Sequence, residues 1–149
     1  MAENTQSQAP AGTTIVHGKY YKPGIMADPN RTVLVCDNDE KVLSSIQSGL
    51  TEHDFEVQVL NSPNELVEKA EQHHVGVVIV NPELPGFNAY DTCKYLKKSI
   101  GIPVLLLVSH TSNARAVLDG CSADDVLTKP VKIEDLANLV SKHVALSQT

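Results

Sequence analysis

The chain has 149 residues, enough for one domain and hardly for two. Its hydrophobic content of 42%, with no Trp, supports a core built of aliphatic side chains. The net charge of −6 argues against a nucleic-acid-binding surface and against a polybasic membrane anchor, and no apolar run approaches the roughly 20 residues of a membrane helix.

The three cysteines, Cys36, Cys93 and Cys121, are odd in number and lack the spacing of metal ligands. Each lies in or beside an apolar run, so we expect buried free thiols in a reducing cytoplasm. No positively charged region followed by an apolar core begins the chain, so no secretory signal is predicted.

Residues 1–30 form a predicted N-terminal extension, and residues 1–13 have a polar composition that predicts disorder. Residues 15–26 contain Tyr20, Tyr21 and several aliphatic side chains, too few to fold alone. Two hypotheses compete for this segment. It packs back on the domain, which we favour because adjacent tyrosines more often cover a surface, or it is a linear docking motif for a partner.

From residue 31 onward, strand and helix patterns alternate. Apolar runs predict strands at residues 32–36, 55–60, 75–80, 102–108 and 124–128. Helical spacing of apolar residues predicts helices at residues 39–53, 63–73, 89–98, 109–119 and 133–144, the second with Ser62 as its N-cap. This alternation is typical of an α/β doubly wound parallel sheet, and we expect the flavodoxin-like strand order 2-1-3-4-5.

In that order, the ends of four strands converge on one edge of the sheet, where sites form in such folds. The segments at these ends are VLVCDNDE, IVNPELPGFNAY, IPVLLLVS and ADDVLTKPV. Together they resemble the receiver domain of two-component response regulators, over residues 31–146, with residues 147–149 as a tail. The order and position of the four segments make the resemblance specific.

The resemblance implies a site in which an Asp accepts a phosphoryl group with the help of Mg²⁺. In this chain the phosphoacceptor position falls on Asn81, and the acidic pair falls on Asp37 and Asn38, with Asp39 beside them. The remaining positions of the family pocket are occupied as follows: the hydroxyl position by Val108, next to Ser109; the lysine by Lys129, followed by Pro130; and the aromatic switch position by Val126.

These departures predict a degenerate receiver, or pseudo-receiver, with no catalytic residue. The Asn81 amide is not a competent nucleophile and cannot form an acyl phosphate. Mg²⁺ prefers hard anionic oxygens, so we expect no cofactor and no bound metal, with Asp37 as a weak candidate ligand. Val108 gives no hydrogen bond to a phosphoryl oxygen, and Val126 cannot act as a rotating aromatic ring.

The residues that match the family also have a structural interpretation. Lys129 can pair with Asp37, and Asn81 can accept a hydrogen bond from Lys129 and bond neighbouring backbone. By resemblance, the Lys129-Pro130 bond is expected to be cis. The pair Asp124-Asp125 is interpreted as an ordinary charged turn at the surface, and His73, His74 and His110 as solvated side chains at helix ends.

The leading functional hypothesis is a non-enzymatic, phosphorylation-independent adaptor of two-component signalling or a phosphorelay. By resemblance, other signalling proteins are expected to bind the face made by the fourth helix, fifth strand and fifth helix, which includes Val117, Val126, Lys132 and Asp135. No nucleic acid and no membrane is expected as a partner, and a monomer or weak homodimer is expected. The alternative is a receiver-like switch driven by a small ligand or by noncanonical phosphorylation in the same pocket; an independent enzyme would need a nucleophile–base pair that the sequence lacks.

Overall fold

The computed structural model describes residues 14–16, 19–21, 31–72, 74–109, 113–121 and 123–147. A five-stranded parallel sheet is formed by β3 (Thr32–Cys36), β4 (Glu56–Leu60), β5 (Val77–Val80), β6 (Val104–Val108) and β7 (Asp125–Thr128). Its order is β4-β3-β5-β6-β7, which is the predicted order 2-1-3-4-5. A separate antiparallel pair joins β1 (Thr14–Val16) to β2 (Lys19–Tyr21). The rest of residues 1–30, including the segment predicted to be disordered, lies outside the described residues.

Five helices connect or follow the strands of the main sheet. They are α1 (Glu40–Glu52), α2 (Leu66–Gln72), α3 (Ala89–Tyr95), α4 (Ala114–Cys121) and α5 (Ile133–Ser147). A short 3-10 turn, Pro63–Glu65, precedes α2, and α3 continues through a wider π-helical turn, Leu96–Ile100. No helix in the described part of the chain is long and apolar enough to cross a membrane.

The sheet is covered on both faces because three of its strands carry apolar side chains in continuous runs. Strands β3, β5 and β6 are buried throughout. Side chains alternate between the faces of a strand, so two core clusters result. One lies on the side of α3 and α4, with Leu34, Val78 and Leu106, and the other on the side of α1 and α5, with Val35, Ile79 and Leu107.

Helices α1 and α5 pack closely because Gly49 has no side chain. A Cβ atom built on Gly49 would lie 2.5 Å from Cγ2 of Ile133, which is closer than real Cβ contacts allow. Gly120 on α4 differs, since a Cβ atom there would meet nothing within 4 Å. The glycine at position 49 therefore sets the distance between two helices that flank the sheet.

Element types and order agree with the sequence-based predictions, and the main differences are at element ends. The fourth helix was predicted to begin at residue 109, but α4 begins at Ala114, where the side chain of Asn113 accepts a hydrogen bond from the Ala116 N–H. The strands predicted at residues 75–80 and 102–108 begin two residues later, at Val77 and Val104. Apolar runs locate buried residues but not the point at which ladder hydrogen bonds begin.

Candidate functional site

The backbone brings Asp37, Asn81 and Lys129 to the same edge of the sheet. Asp37 follows β3 and Asn81 follows β5, and the residues before them, Cys36 and Val80, are paired in the parallel ladder. The N–H of Asn81 donates to the carbonyl of Cys36 at 3.0 Å. Lys129 follows β7, and its N–H donates to the carbonyl of Val108 at 2.8 Å. Ladder hydrogen bonds thus hold the predicted site residues together.

An ion pair occupies the centre of this edge. The Nζ of Lys129 lies 2.8 Å from Oδ2 of Asp37, whose side chain is fully buried, while the lysine side chain is 20% exposed. The other carboxylate oxygen, Oδ1, accepts from the backbone N–H of Asp39 at 3.2 Å and from the amide of Asn81 at 3.5 Å. A buried carboxylate is costly unless it is paired, so the lysine satisfies a charge that the fold has removed from water.

The two ends of the Asn81 amide have different partners. Its oxygen accepts from the backbone N–H of Glu83 at 2.8 Å, which fixes which end is oxygen, and its nitrogen points to Asp37. The expected ion pair between Lys129 and Asp37 is confirmed, whereas the expected bond from Lys129 to Asn81 is not among those of the described residues. The expected bond from Asn81 to neighbouring backbone is present. The amide oxygen points away from the Asp37 carboxylate and accepts a hydrogen bond within the turn that follows β5.

Asp39 is placed as a helix cap, not as a member of the pocket. Its Oδ1 accepts from the N–H groups of Lys41 and Val42, at 3.1 and 3.4 Å, and its backbone is extended as an N-cap requires. Asn38 beside it is exposed. Of the acidic segment after β3, the Asp37 side chain is buried and the side chains of Asn38 and Asp39 are not.

The other predicted site positions have mixed surroundings. Val108 ends β6 and is fully buried, whereas Ser109 after it is half-buried. Val126 on β7 is half-buried and packs against the cluster on the side of α3 and α4. The Lys129-Pro130 bond is cis, as the resemblance led us to expect.

Beside Lys129 lies a cleft that the sequence did not reveal. It has a volume of about 190 Å³ and lies between the first turns of α1 and the segment between β7 and α5. Its lining is mostly aliphatic with two ammonium groups and one hydroxyl: Lys41, Val42, Ser45, Ile46, Lys129, Pro130 and Val131. Among the described residues, no group of three or more His, Cys, Asp or Glu is arranged to hold a metal ion.

Asp124 shows that one interpretation from the sequence was wrong. Its Oδ1 pairs with Nζ of Lys97 at 2.9 Å, and its Oδ2 accepts from the N–H of Val104 at 2.8 Å. This aspartate therefore joins the π-helical turn after α3 to the start of β6, and it is not part of an ordinary surface turn. Its neighbour Asp125 lies 3.8 Å from Nε2 of the buried His143, a contact that also escaped sequence reasoning.

The cysteines are buried free thiols, as predicted. Burial, followed by the charge of Asp37, raises the pKa of Cys36 to about 12. Burial is also the largest cause that raises the pKa of Cys93, to about 12, and the pKa of Cys121.

A family model for the response regulator receiver domain matches residues 33–141, most of the chain. The chain belongs to this family. The receiver domain is 30% identical over 108 residues to a heme response regulator, HssR, of Staphylococcus saprophyticus, which covers 70% of this chain and 47% of that protein. It is 27% identical over 105 residues to a DNA-binding response regulator, MtrA, of Mycolicibacterium paratuberculosis, covering 70% of this chain and 47% of that protein. The chain thus spans about half the length of these curated relatives.

Solved structures agree with the fold of the receiver domain. A response regulator receiver domain from Clostridium thermocellum is 25% identical with a TM-score of 0.68, covering 78% of this chain and 96% of that chain. A CheY-like receiver domain from Methanospirillum hungatei is 21% identical with the same TM-score, covering 78% and 95%. Both support the flavodoxin-like arrangement of five parallel strands and five helices.

Proposed function

We propose that this receiver domain acts without phosphorylation, as a protein–protein interaction module of two-component signalling. The observation that carries the proposal is the site at the sheet edge. An amide, Asn81, stands at the position where the family has its phosphoacceptor, and an ion pair between Asp37 and Lys129 fills the centre. The site has the family's scaffold and lacks its nucleophile.

In the proposed role, none of the described side chains Asp37, Asn81 and Lys129 accepts a phosphoryl group. An amide oxygen carries no full negative charge, and that of Asn81 is already an acceptor for the Glu83 N–H. In the proposed role Lys129 does not contact a phosphoryl group but holds Asp37, 2.8 Å away. The ion pair keeps the strand ends in one conformation, whereas phosphorylation would change that conformation in other members of the family.

The donor set does not fit Mg²⁺, which prefers several oxygens in octahedral array at about 2.0–2.1 Å. Asp37 presents one oxygen to an ammonium group and the other to two N–H groups. The Asp39 carboxylate caps α1, and Asn38 is exposed and uncharged. We therefore expect no Mg²⁺ binding at this edge.

The test is treatment of the intact chain with acetyl phosphate and Mg²⁺, followed by intact-mass measurement. We expect no gain of about 80 Da, the mass of a phosphoryl group. A second measurement records the amide NMR spectrum with Mg²⁺ and beryllofluoride, and no shift is expected at residues 37–39 or 81. Mg²⁺-dependent phosphorylation, or beryllofluoride-dependent shifts at these residues, would overturn the proposal.

The proposed partner surface is the face of α4, β7 and α5. Val117 and Val126 are half-buried there, and Lys132 and Asp135 are exposed. Such a surface combines apolar contacts with charges of both signs, which fits another signalling protein. The charge reversal Lys132→Glu, at an exposed position before α5, is expected to weaken partner binding while leaving the unfolding temperature unchanged.

The cleft beside Lys129 favours a second candidate function, a switch driven by a small ligand. Its aliphatic lining and its two ammonium groups would suit a small molecule with an apolar body and one polar end. Screening of small fragments by NMR tests this function, with Lys41→Ala and Ser45→Ala as mild variants of the lining. The absence of any fragment that shifts the NMR signals of the cleft residues would count against this function. Fragment binding that both variants leave unchanged would also count against it.

A further inference from the structure

We propose that His143 and Asp125 form a proton-sensitive contact that joins α5 to β7. Protonation of the His143 ring turns a long contact with the Asp125 carboxylate into a charge-assisted hydrogen bond and draws the two elements together. Asp125 is the first residue of β7, so the contact lies at the opposite end of the sheet from the candidate site, whose residues follow the strands. The proton site therefore does not rest on the function proposed above.

The apolar pattern of α5 places His143 in the buried stripe of that helix. It lies three residues after Val140 and seven after Leu136, both fully buried, and this is the spacing of one helix face. Val144 beside it is also buried, and His143 itself is only 8% exposed. A polar ring in such a position needs a partner, or its buried nitrogen is left without a hydrogen bond.

Alternation along β7 points the Asp125 side chain toward this histidine. Leu127, two residues further on, packs against the core cluster on the side of α1 and α5, whereas Val126 packs against the opposite cluster. Side chains two residues apart share a face of a strand, so Asp125 faces α5 as well. Because β7 is an edge strand, the Asp125 side chain keeps 34% exposure, which gives water access to its carboxylate.

The contact is too long for a hydrogen bond. Nε2 of His143 lies 3.8 Å from Oδ2 of Asp125, and Nε2 is buried from solvent with no hydrogen-bond partner among the described residues. Oδ1 of Asp125 accepts from the N–H of Val126 at 3.0 Å, so Oδ2 is the oxygen that remains for the ring. A neutral imidazole has a proton on only one of its two nitrogens. With that proton on Nδ1, Nε2 presents a lone pair to the carboxylate, and no hydrogen bond forms.

Protonation supplies the missing donor. It gives Nε2 a proton and places a positive charge on the ring beside the carboxylate. Charge-assisted N–H···O hydrogen bonds are about 2.7–2.9 Å long, so the two atoms approach by about 1 Å. Imidazole rings change charge between about pH 5 and about pH 8. Within that range, protonation satisfies the buried nitrogen and brings α5 closer to β7.

Asp125 is the one carboxylate that the described residues bring within ion-pair distance of the His143 ring. Strands β5 and β6 carry no titratable side chain, and Asp125 is the only one on β7. Asp124 is held by Lys97 and by the backbone at the start of β6. The charged residues of α1, which packs against α5, and those of α5 itself are exposed: Glu40, Lys41, Glu52, Glu134, Asp135 and Lys142. The charge of Asp125 should therefore control the protonation of His143.

The contact joins two of the three elements of the proposed partner surface. Asp135 lies on α5, and Val126 follows Asp125 on β7. Movement of α5 toward β7 changes the relative positions of these side chains, so a partner would meet a different surface at low pH. This consequence rests on the function proposed above, whereas the proton site does not.

The experiment follows the ring signals of His143 and the backbone amide signals of residues 125 and 126 by NMR, in the full-length chain, from about pH 8 to about pH 5. We expect the ring and the two amides to change with the same midpoint while the chain stays folded. Asp125→Asn keeps the shape of the side chain and removes its charge, so it should lower the proton affinity of His143 several-fold. Asp135→Asn, at an exposed carboxylate of α5, is the matched control and should leave that affinity unchanged.

Urea denaturation supplies a second measurement. The carboxylate favours the protonated ring in the folded chain, so its contribution to stability is present at low pH and is lost as the pH rises. Asp125→Asn should therefore lose more stability at about pH 5.5 than at about pH 8. An equal loss at the two pH values, or an equal effect of the two variants on the proton affinity, would contradict the contact. A His143 ring that keeps its charge state throughout the range, or different midpoints for the ring and the amides, would overturn the proposal without any variant.

Discussion

At the scale of single residues, the centre of the candidate site is an ion pair with a structural role. Asp37 is fully buried and Lys129 is largely so, and the pair is supplemented by the N–H of Asp39 and the amide of Asn81. Removing one partner leaves the other charge buried without compensation, which costs far more than the pair contributes. The free energy of unfolding should therefore fall strongly when one partner of the pair is replaced and only weakly when both are replaced.

Lys129→Met should lower the free energy of unfolding by about 3 kcal/mol, the low end for breaking a buried pair, because a fifth of the lysine side chain is exposed. Adding Asp37→Asn should restore much of the loss. Urea denaturation measures both. Lys41→Met, an exposed lysine of the same cleft, is the control, and its change should stay within about 0.5 kcal/mol. An equal effect of the two lysine changes would contradict the structural role of Lys129.

Asn81→Asp should not restore phosphorylation, because Asn38 and Val108 still depart from the family's pattern. The new carboxylate would lie beside Oδ1 of Asp37, now 3.5 Å from the Asn81 amide. Two adjacent carboxylates repel each other when both are ionised, so the variant should be less stable relative to the unaltered chain at about pH 7 than at about pH 4. Mass measurement and denaturation at the two pH values check this, and Mg²⁺-dependent phosphorylation of the variant would contradict the degenerate site.

At the scale of elements, helix packing and capping decide how α1 is held. Gly49 lets α1 approach Ile133 at the start of α5, and Asp39 caps its first turn. Both features position the segment that follows β3, from which Asp37 enters the site. Each is open to a substitution with a matched control elsewhere in the chain.

Gly49→Ala should destabilise the protein by about 1–2 kcal/mol, since a Cβ atom would lie 2.5 Å from Ile133 and overpacking costs more than alanine's helix propensity returns. Gly120→Ala on α4 meets nothing within 4 Å and should stabilise by up to about 1 kcal/mol. Thermal unfolding of both variants measures the contrast. Gly49→Ala should cost less in a chain that carries Ile133→Ala than in the unaltered chain, and a stabilising Gly49→Ala would refute the close contact.

Asp39→Ala should cost about 1 kcal/mol, the usual loss for an N-cap side chain. The neighbouring change Asn38→Ala, at an exposed position, should leave the free energy of unfolding unchanged. Urea denaturation compares the two. The same pair bears on metal binding, because a Mg²⁺-dependent stability present in the unaltered chain and lost in Asp39→Ala would show that Asp39 is a ligand and not a cap.

At the scale of the whole molecule, both core clusters in the described part of the chain are formed by residues between Val33 and Val144. A chain that begins at Arg31 should therefore unfold cooperatively on its own. Arg31 is kept because it donates to the carbonyls of His53 and Asp54 and stacks over Phe55, at 4.1 Å from the ring centroid. Loss of cooperative unfolding would contradict this autonomy.

The same truncation separates the two hypotheses for residues 15–26. If the segment packs on the domain, the truncated chain should lose more than about 4 °C in Tm, the shift that about 1 kcal/mol produces at this size. If the segment is a docking motif, the truncated chain should keep the Tm of the intact chain but bind less of its partner. Pull-down with the intact and truncated chains supplies the second measurement.

The sequence alone determined the strand order, the presence and order of the five helices, and which strand ends would lie close together. Apolar runs predict that β3, β5 and β6 are buried on both faces, and helical spacing predicts that each helix is buried on one face. Few chain topologies satisfy both patterns. The same signals placed Asp37 and Asn81 after two adjacent strands, β3 and β5, and Lys129 after β7 at the same end of the sheet. Element ends were less certain, as the start of α4 shows, because caps such as Asn113 are weak local signals.

Only the tertiary structure decided which polar groups pair. Lys129 forms the predicted pair with Asp37 but not the predicted bond to Asn81, and Asp124 joins the turn after α3 to β6. These partners are between 20 and 92 residues apart, and side-chain direction and ångström-scale distance select among them. Periodicity assigns a residue to a face, whereas a hydrogen bond or ion pair requires a particular atom within about 3 Å. The sequence shows that residue 81 is an amide, but only the structure shows which groups form hydrogen bonds with it.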